Sequence, residues 1–159
     1  MRLKPLGIAC FFLASIAEGK GASLAVKPGL TLPTGDEAKG LGAGKTRYAL
    51  FLLATADLGS SAVHLNAGFK RNENSVDERK GIWHVSVAGE AGVTKNLKVV
   101  GNVGTERNTD RSSRADPAFG LVGLIYSVSE SLSLDAGVKA GLNGPETDST
   151  FLAGLAYRF

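Results

Sequence analysis

Apolar and polar side chains alternate with a period of two over most of the chain, and this pattern constrains the fold more than any other sequence feature. A period of two is typical of β-strands, whereas helices repeat every 3.6 residues. In residues 61–70, for example, Val63, Leu65 and Phe69 would lie on one face of a strand and Asn66 on the other. The sequence therefore predicts an all-β protein.

The alternation divides the chain into eight segments with connections of two kinds. The predicted strands are 23–33, 46–57, 61–70, 82–93, 97–106, 118–127, 132–143 and 151–159. Long, charged connections at 35–46, 70–81 and 107–117 alternate along the chain with short ones near 57–61, 94–96 and 128–131. This order of long and short is typical of up-and-down barrels in the outer membrane, where short turns face the periplasm. Segments 46–57 and 118–127 are apolar on both faces, so the direction of their side chains stays open.

The predicted fold is an antiparallel up-and-down transmembrane β-barrel of about eight strands, located in the cell outer membrane with the lipid bilayer as its partner. In lipid every backbone N–H and C=O must be paired internally, which only helices and closed sheets achieve. A soluble β-sandwich is the alternative, because it also has strands with a period of two. The alternating loop lengths and the apolar face on every strand favour the barrel.

The placement of charge argues against a nucleic-acid partner, although the formal net charge is +3. Of 33 charged residues, 19 lie in the four segments 35–46, 70–81, 106–117 and 143–149. Each of these segments carries residues of both signs or is acidic, whereas a phosphate-binding face needs positive charge clustered on one surface.

Polar residues on the alternating strands would face the interior of the barrel. The predicted lumen-facing residues are His64, Asn66, Lys70, His84, Ser86, Glu90, Lys98, Asn102, Glu106, Asp135, Lys139 and Arg158. They could line a conduit and set its selectivity. Alternatively they could pair as salt bridges, because side chains just fill an eight-stranded barrel. Strand number therefore decides between a channel for passive uptake and a non-conducting anchor or surface-loop adhesin.

The final strand ends on an aromatic residue. Phe159 is last, Tyr157 third from last and Leu155 fifth from last, and Phe151 begins the segment. This arrangement resembles the terminal assembly signal of bacterial outer-membrane proteins. It predicts the outer-membrane assembly machinery as a second partner.

The N-terminal region, residues 1–21, has two interpretations. Arg2 and Lys4 precede an uncharged stretch, and Ser15 and Ala17 offer the small residues of a cleavage site, as in a secretory leader. Equally, the region could be the remnant of an upstream strand in a longer protein. Residues 22–159 form the predicted barrel domain in both cases, either whole or as the C-terminal part of a larger barrel.

One motif points to a family. Pro33, Thr34, Gly35 and Asp36, followed by the glycine-rich stretch 40–44, resemble the outer-membrane family associated with the meta-pathway of phenol degradation. The resemblance implies a channel or transporter for small, aromatic or hydrophobic cargo, and it carries over no catalytic residue and no cofactor. Members usually have further strands before this motif, which favours a fragment or a wrongly assigned start.

Other motifs are weaker. Gly44, Lys45 and Thr46 resemble a phosphate-binding loop, but Lys39 stands where that loop needs glycine. Two histidines on a polar wall, His64 and His84, are more often plain lumen residues than metal ligands. The sequence predicts no enzyme activity, no cofactor and no metal site.

Overall fold

The computed structural model describes residues 9–34, 45–75 and 77–158, and their regular structure is a single antiparallel sheet. The strands are β1 Ala9–Phe11, β2 Ala14–Gly19, β3 Ala22–Thr31, β4 Arg47–Asp57, β5 Ser61–Arg71, β6 Gly81–Gly92, β7 Leu97–Glu106, β8 Ala118–Ser127, β9 Leu132–Gly141 and β10 Ser149–Tyr157. In this part of the chain no helix is long and apolar enough to cross a membrane.

From β3 to β10 each strand pairs with the next strand along the chain. β1 and β2 both pair with β3, one after the other, so together they occupy one edge position. Within the described ranges β10 pairs only with β9, so the sheet is open and has the order of a partial barrel. This confirms the predicted all-β, antiparallel, up-and-down fold.

The eight predicted strands correspond to β3–β10, and their ends differ by only a few residues. β1 and β2 lie within residues 1–21, the region that the sequence left between a leader and an upstream strand. Both belong to the sheet, and β2 reaches Gly19 beside Ala22 of β3. The division of the chain at residue 21 stays a prediction.

The two faces of the sheet differ in exposure. In β4, Phe51 is 8% exposed, whereas Leu50 and Leu52 beside it are 58% and 46% exposed. Side chains on the inside of a curved sheet shield one another, and those on the outside diverge. The face that carries Phe51 is termed the inner face, and the face that carries Leu50 and Leu52 the outer face. In β8 the strand pairing places Phe119 on the inner face, and Val122, 65% exposed, on the outer face.

Short turns join the strands at one end of the sheet, termed the turn end. Two of these turns are stabilised in the same way, by a side-chain hydroxyl oxygen that accepts hydrogen bonds from two backbone N–H groups. Thr94 Oγ1 accepts from Asn96 and Leu97 at 3.3 and 3.1 Å, and Ser129 Oγ accepts from the corresponding residues of the β8–β9 turn. The described connections 72–75, 77–80, 107–117 and 142–148 lie at the opposite end, termed the loop end.

Candidate functional site: the inner face of the sheet

The strand register places the predicted lumen-facing residues on the inner face, because residues directly opposite each other point to the same side of a sheet. Those on strands are His64, Asn66 and Lys70 on β5; His84, Ser86 and Glu90 on β6; Lys98, Asn102 and Glu106 on β7; and Asp135 and Lys139 on β9. Arg158 follows β10 at the turn end, where its backbone N–H donates to Ser131.

One charged cluster lies near the loop end. Lys70 Nζ donates to Glu106 Oε2 at 2.6 Å, and His84 Nδ1 lies 3.3 Å from the same oxygen. The other ring nitrogen, His84 Nε2, lies 3.3 Å from Ser86 Oγ. Three strands therefore contribute to one connected network of polar side chains.

The order Ser86, His84, Glu106 has the connectivity of a hydrolase triad, but its surroundings differ from those of an active site. Ser86 is 5% exposed, and Glu106 is shared with the Lys70 ammonium. Ser86 Cβ also lies so close to Gly104 that a Cβ on that glycine would come within 2.6 Å of it. A nucleophile must be reachable by its substrate, whereas the Ser86 side chain is packed within the inner face.

A second charged cluster lies near the turn end. Lys98 Nζ donates to Glu90 Oε1 at 2.6 Å, and His64 Nε2 lies 4.0 Å from Glu90 Oε2. Thr55 Oγ1 lies 2.9 Å from His64 Nδ1 and fixes the orientation of the ring. The two histidines thus belong to different clusters, and among the described residues no group of three or more His, Cys, Asp or Glu side chains could hold a metal ion.

Two amides lie between the clusters. The Oδ1 atoms of Asn66 and Asn102 are buried and have no hydrogen-bond partner within the described ranges. A buried acceptor without a partner costs about 1–3 kcal/mol. The middle of the inner face is therefore polar but less completely paired than its two ends.

A row of rings and ammonium groups crosses the inner face, and it is termed the aromatic belt: Lys27, Phe51, His84, Phe119 and Lys139. The His84 ring packs edge-on against Phe51, with 5.8 Å between centroids, and stacks on Phe119 at 6.3 Å. Lys27 Nζ lies 4.8 Å from the centroid of Phe51, and Lys139 Nζ lies 5.4 Å from that of Phe119. Each ammonium group is therefore held over a ring by a cation–π contact.

Two glycines make room for the rings of the belt. Gly68 lies opposite Phe51, and a Cβ on this glycine would overlap the phenylalanine ring. Gly104 lies opposite Phe119, and a Cβ there would come within 2.8 Å of that ring. Both rings therefore lie flat over a neighbouring strand and do not project away from the wall.

The sequence analysis missed three members of the belt, namely Lys27, Phe51 and Phe119. Phe51 and Phe119 lie in the two segments that are apolar on both faces, so alternation could not orient them. The signal that could have found them is a glycine opposite a phenylalanine on the next strand, which marks a place where a large side chain crosses its neighbour.

At the loop end, residues 72–80 and 107–117 are tied together by an arginine. Arg79 donates from its guanidinium group to the carbonyl oxygens of Asp110, Arg111 and Ser113 at 3.0–3.2 Å. Arg111 in turn pairs with Asp77 at 2.6 Å. These contacts, termed the loop clasp, make two long connections into one surface.

The pKa values of two carboxyl groups in these connections are lowered by their partners. A hydrogen bond from Arg71, and a weaker contribution from Lys80, hold the pKa of Glu73 below its ordinary value. Hydrogen bonds from the side chain and backbone of Ser112 lower the pKa of Asp110 in the same way. The lowered pKa values mean that these contacts within the loops favour the charged form of both groups.

Replacing Arg79 with alanine is expected to open the loop clasp and to expose residues 107–117 to protease. The physical reason is the loss of three hydrogen bonds to carbonyl groups, which a single side chain supplies. Limited trypsin digestion should cleave after Arg111 and Arg114 several-fold faster in the variant. Lys95→Ala, in a short turn at the other end, is the control, and equal cleavage rates in all three proteins would contradict the clasp.

The structure also locates most of the other predicted residues. Phe151, Leu155 and Tyr157 of the predicted assembly signal lie on the outer face of β10 and are 82%, 67% and 58% exposed. Phe159 is outside the described residues. In the loop motif, Pro33 and Thr34 follow β3, and the Thr34 N–H donates to Leu32 at 2.9 Å. Gly35 and Asp36 of the motif are also outside the described residues.

The fold and the inner face define a class of protein, an up-and-down antiparallel sheet of the barrel type with an apolar outer face and an inner face that combines charged, amide and aromatic side chains. The chain belongs to the family described as "Putative MetA-pathway of phenol degradation", whose model matches residues 8–159. This match confirms the resemblance found in the sequence and connects the chain with phenol degradation. Comparisons with curated proteins and with solved structures found no match.

Proposed function

We propose that the protein is a β-barrel channel of the outer membrane for passive uptake of small molecules, with aromatic or hydrophobic compounds as the expected cargo. The observation that carries this proposal is the separation of the two faces of the sheet. Charged and amide groups line the inner face, and apolar side chains cover the outer face of every strand from β3 to β10.

The outer face has the properties of a surface in contact with lipid. Its well-exposed apolar side chains are Leu30, Tyr48, Leu50, Leu52, Val63, Leu65, Phe69, Val85, Val87, Val99, Val103, Val122, Leu124, Tyr126, Leu134, Val138, Phe151, Leu155 and Tyr157. A soluble monomer rarely exposes a continuous apolar patch of this extent. A bilayer removes this surface from water, and the paired strands satisfy the backbone, as a membrane requires.

The inner face supports passage of cargo because charged side chains lie near both its loop end and its turn end, the two ends between which a cargo would travel. Lys139 lies near the loop end and Lys98 near the turn end, and their side chains are 25% and 51% exposed. A permeating ion would therefore meet a lysine paired with a glutamate at each end.

Replacing Lys98 and Lys139 with glutamine is expected to shift the reversal potential in planar bilayers toward cation selectivity. Removing fixed positive charge from a pore wall weakens its attraction for anions. The measurement is the zero-current voltage of the refolded protein across a KCl gradient. Lys95→Gln, in an exposed turn, is the matched control. Unchanged reversal potentials in the double variant would contradict the assigned role of the two lysines.

A non-conducting barrel that acts as an anchor or surface-loop adhesin is the second candidate, and the ion pairs favour it. Lys70–Glu106, Lys98–Glu90 and Lys139–Glu146 join side chains across the inner face at 2.6–2.8 Å. Such pairs could fill a narrow interior. The surface that the loop clasp holds together would then be the part of the protein that binds a partner. A protein that shows heat-modifiable mobility in gels and inserts into bilayers, but carries no current, would support this candidate over the channel.

A further inference from the structure

We propose that the loop-end side of the aromatic belt is a carboxylate-binding site, and that Glu146 occupies it when no cargo is bound. The cargo class that this site selects is a small organic anion with a ring, such as an aromatic carboxylate. The inference rests on the proposed channel and adds to it the charge of the cargo and the place where it binds.

The first argument is the contact that Glu146 makes. Its Oε1 atom lies 2.8 Å from Lys139 Nζ, and the Glu146 side chain is only 12% exposed. The same ammonium group lies over the Phe119 ring. A carboxylate is thus already seated beside a lysine and an aromatic ring, which shows that the wall accommodates this chemical group.

The second argument is the origin of Glu146. It lies in the connection between β9 and β10, at 142–148, and not on a strand of the wall. A residue on a connection can withdraw more easily than a strand residue, which the sheet ladder holds in place. Displacement of the Glu146 carboxylate by a cargo carboxylate would exchange one charge-assisted hydrogen bond from Lys139 for another of similar strength. The Thr147 N–H, which donates to the same Glu146 oxygen at 3.1 Å, belongs to the same connection and can move with it.

The third argument is the balance of charge in the loop-end half of the inner face. Within the described residues, Lys27, Arg47, Lys70 and Lys139 are cationic there. Glu106 is the anionic residue on a strand, and Glu78 and Glu146 reach this half from the connections, where they bind Asn72 and Lys139. The excess is one positive charge, and a bound anion removes it if Glu146 remains in place. Toward the turn end the balance reverses, since Glu18, Asp57, Glu90 and Asp135 outnumber Lys98 and Arg158. An anion is therefore favoured at the loop end of the path.

The rings give the site a preference beyond charge. Phe119 lies flat over Gly104 and stacks with His84, so a planar ring attached to the carboxylate could stack on the same wall. Phe51 is almost completely covered and acts as a positioning residue, since it holds the Lys27 ammonium group by a cation–π contact.

The test uses benzoate and its neutral analogue benzamide as probes, with two readouts on the refolded full chain. Titration calorimetry measures binding, and planar-bilayer recording measures block of the KCl current. We expect benzoate to bind and to block the current, and benzamide to do neither. Lys139→Gln should weaken benzoate binding about tenfold, because a hydrogen bond to a charged group is lost. Glu146→Gln should strengthen it several-fold, because the internal competitor is removed.

The controls are Lys95→Gln and Glu130→Gln, which make the same chemical changes in exposed turns and should leave both readouts unchanged. Opposite effects at Lys139 and Glu146 cannot come from misfolding alone. A current that benzoate does not affect, together with no binding by calorimetry, would overturn the site and leave the channel standing. Binding of benzoate with no current would leave the site standing and overturn the channel. Equal binding of benzoate and benzamide would overturn the selection for charge.

Discussion

Replacing Val122 with lysine is expected to lower the free energy of unfolding in a lipid bilayer by about 2–4 kcal/mol, the cost of a lysine at the midplane on the lipid face of a barrel. Val122 lies in the middle of β8 on the outer face and is 65% exposed. If this face were in contact with water, the same substitution would change stability by no more than about 0.5 kcal/mol. The size of the effect therefore reports what surrounds the outer face.

The matched control is Val128→Lys, in the turn between β8 and β9, where the valine is 50% exposed. Near the membrane interface the cost of lysine falls to about 0–1 kcal/mol. Denaturant unfolding from phosphocholine vesicles, followed through the fluorescence of the single tryptophan Trp83, gives both values. Similar small effects of the two substitutions would be incompatible with a bilayer around β8.

Gly68→Ala is expected to destabilise the protein by about 1–3 kcal/mol, the usual cost of adding a carbon to a packed position. The added Cβ would overlap the Phe51 ring, which lies over this glycine. Gly101→Ala on β7 is the control, because a Cβ at that position would meet nothing within 4 Å. Since glycine is unfavourable within a strand, Gly101→Ala should be neutral or slightly stabilising. Unfolding in denaturant measures both changes.

A double-mutant cycle separates overpacking from a general effect on β5. In the Phe51→Leu background the ring is absent, so Gly68→Ala should cost less than in the parent protein. The coupling expected for two side chains in contact is about 0.5–3 kcal/mol. Additive effects of the two substitutions would mean that the Phe51 ring does not rest on Gly68, and the flat arrangement of the aromatic belt would be wrong.

The order and number of strands from β3 to β10 could be predicted from the sequence, because one buried face and one exposed face impose a period of two. On β5, for example, Val63, Leu65 and Phe69 alternate with His64 and Asn66 without a break. The turns were also predictable, since Thr94 and Ser129 are residues whose hydroxyl groups close short turns. Strand ends were less accurate, as shown by β9, which ends at Gly141 and not at residue 143.

The direction of β4 and β8 could not be predicted, because alternation carries no information where both faces are apolar. Register decides it instead. Phe51 lies opposite Gly68, and Phe119 lies between Gly104 and Gly141, so each large ring has a neighbour without a side chain. A shift of one residue in either strand would place these rings on the outer face.

The loop clasp was beyond sequence reasoning for a different reason. Arg79 binds carbonyl groups more than 30 positions away in the chain, and any residue type supplies a carbonyl. Such a contact depends on the backbone path of two irregular connections. The sequence therefore contains no pattern of residue types from which the contact could be predicted. β1 and β2 were ambiguous because a short apolar stretch after basic residues is common to secretory leaders and to strands.

The order of strands in the sheet has a consequence for how its two edges can be connected to close a barrel. Among the described residues the sheet has nine strand positions, and direction reverses between each pair of neighbours. β10 and the β1–β2 edge therefore run the same way, from the loop end to the turn end. Joined directly, they would form a parallel pair, whereas single-chain bacterial barrels have an even number of antiparallel strands. A second copy of the chain, inserted into the membrane in the same orientation, would have edge strands of that same direction. It would therefore also form a parallel pair with this sheet. A seam made only of antiparallel pairs therefore requires an odd number of additional strands, the first and last of which run from the turn end to the loop end.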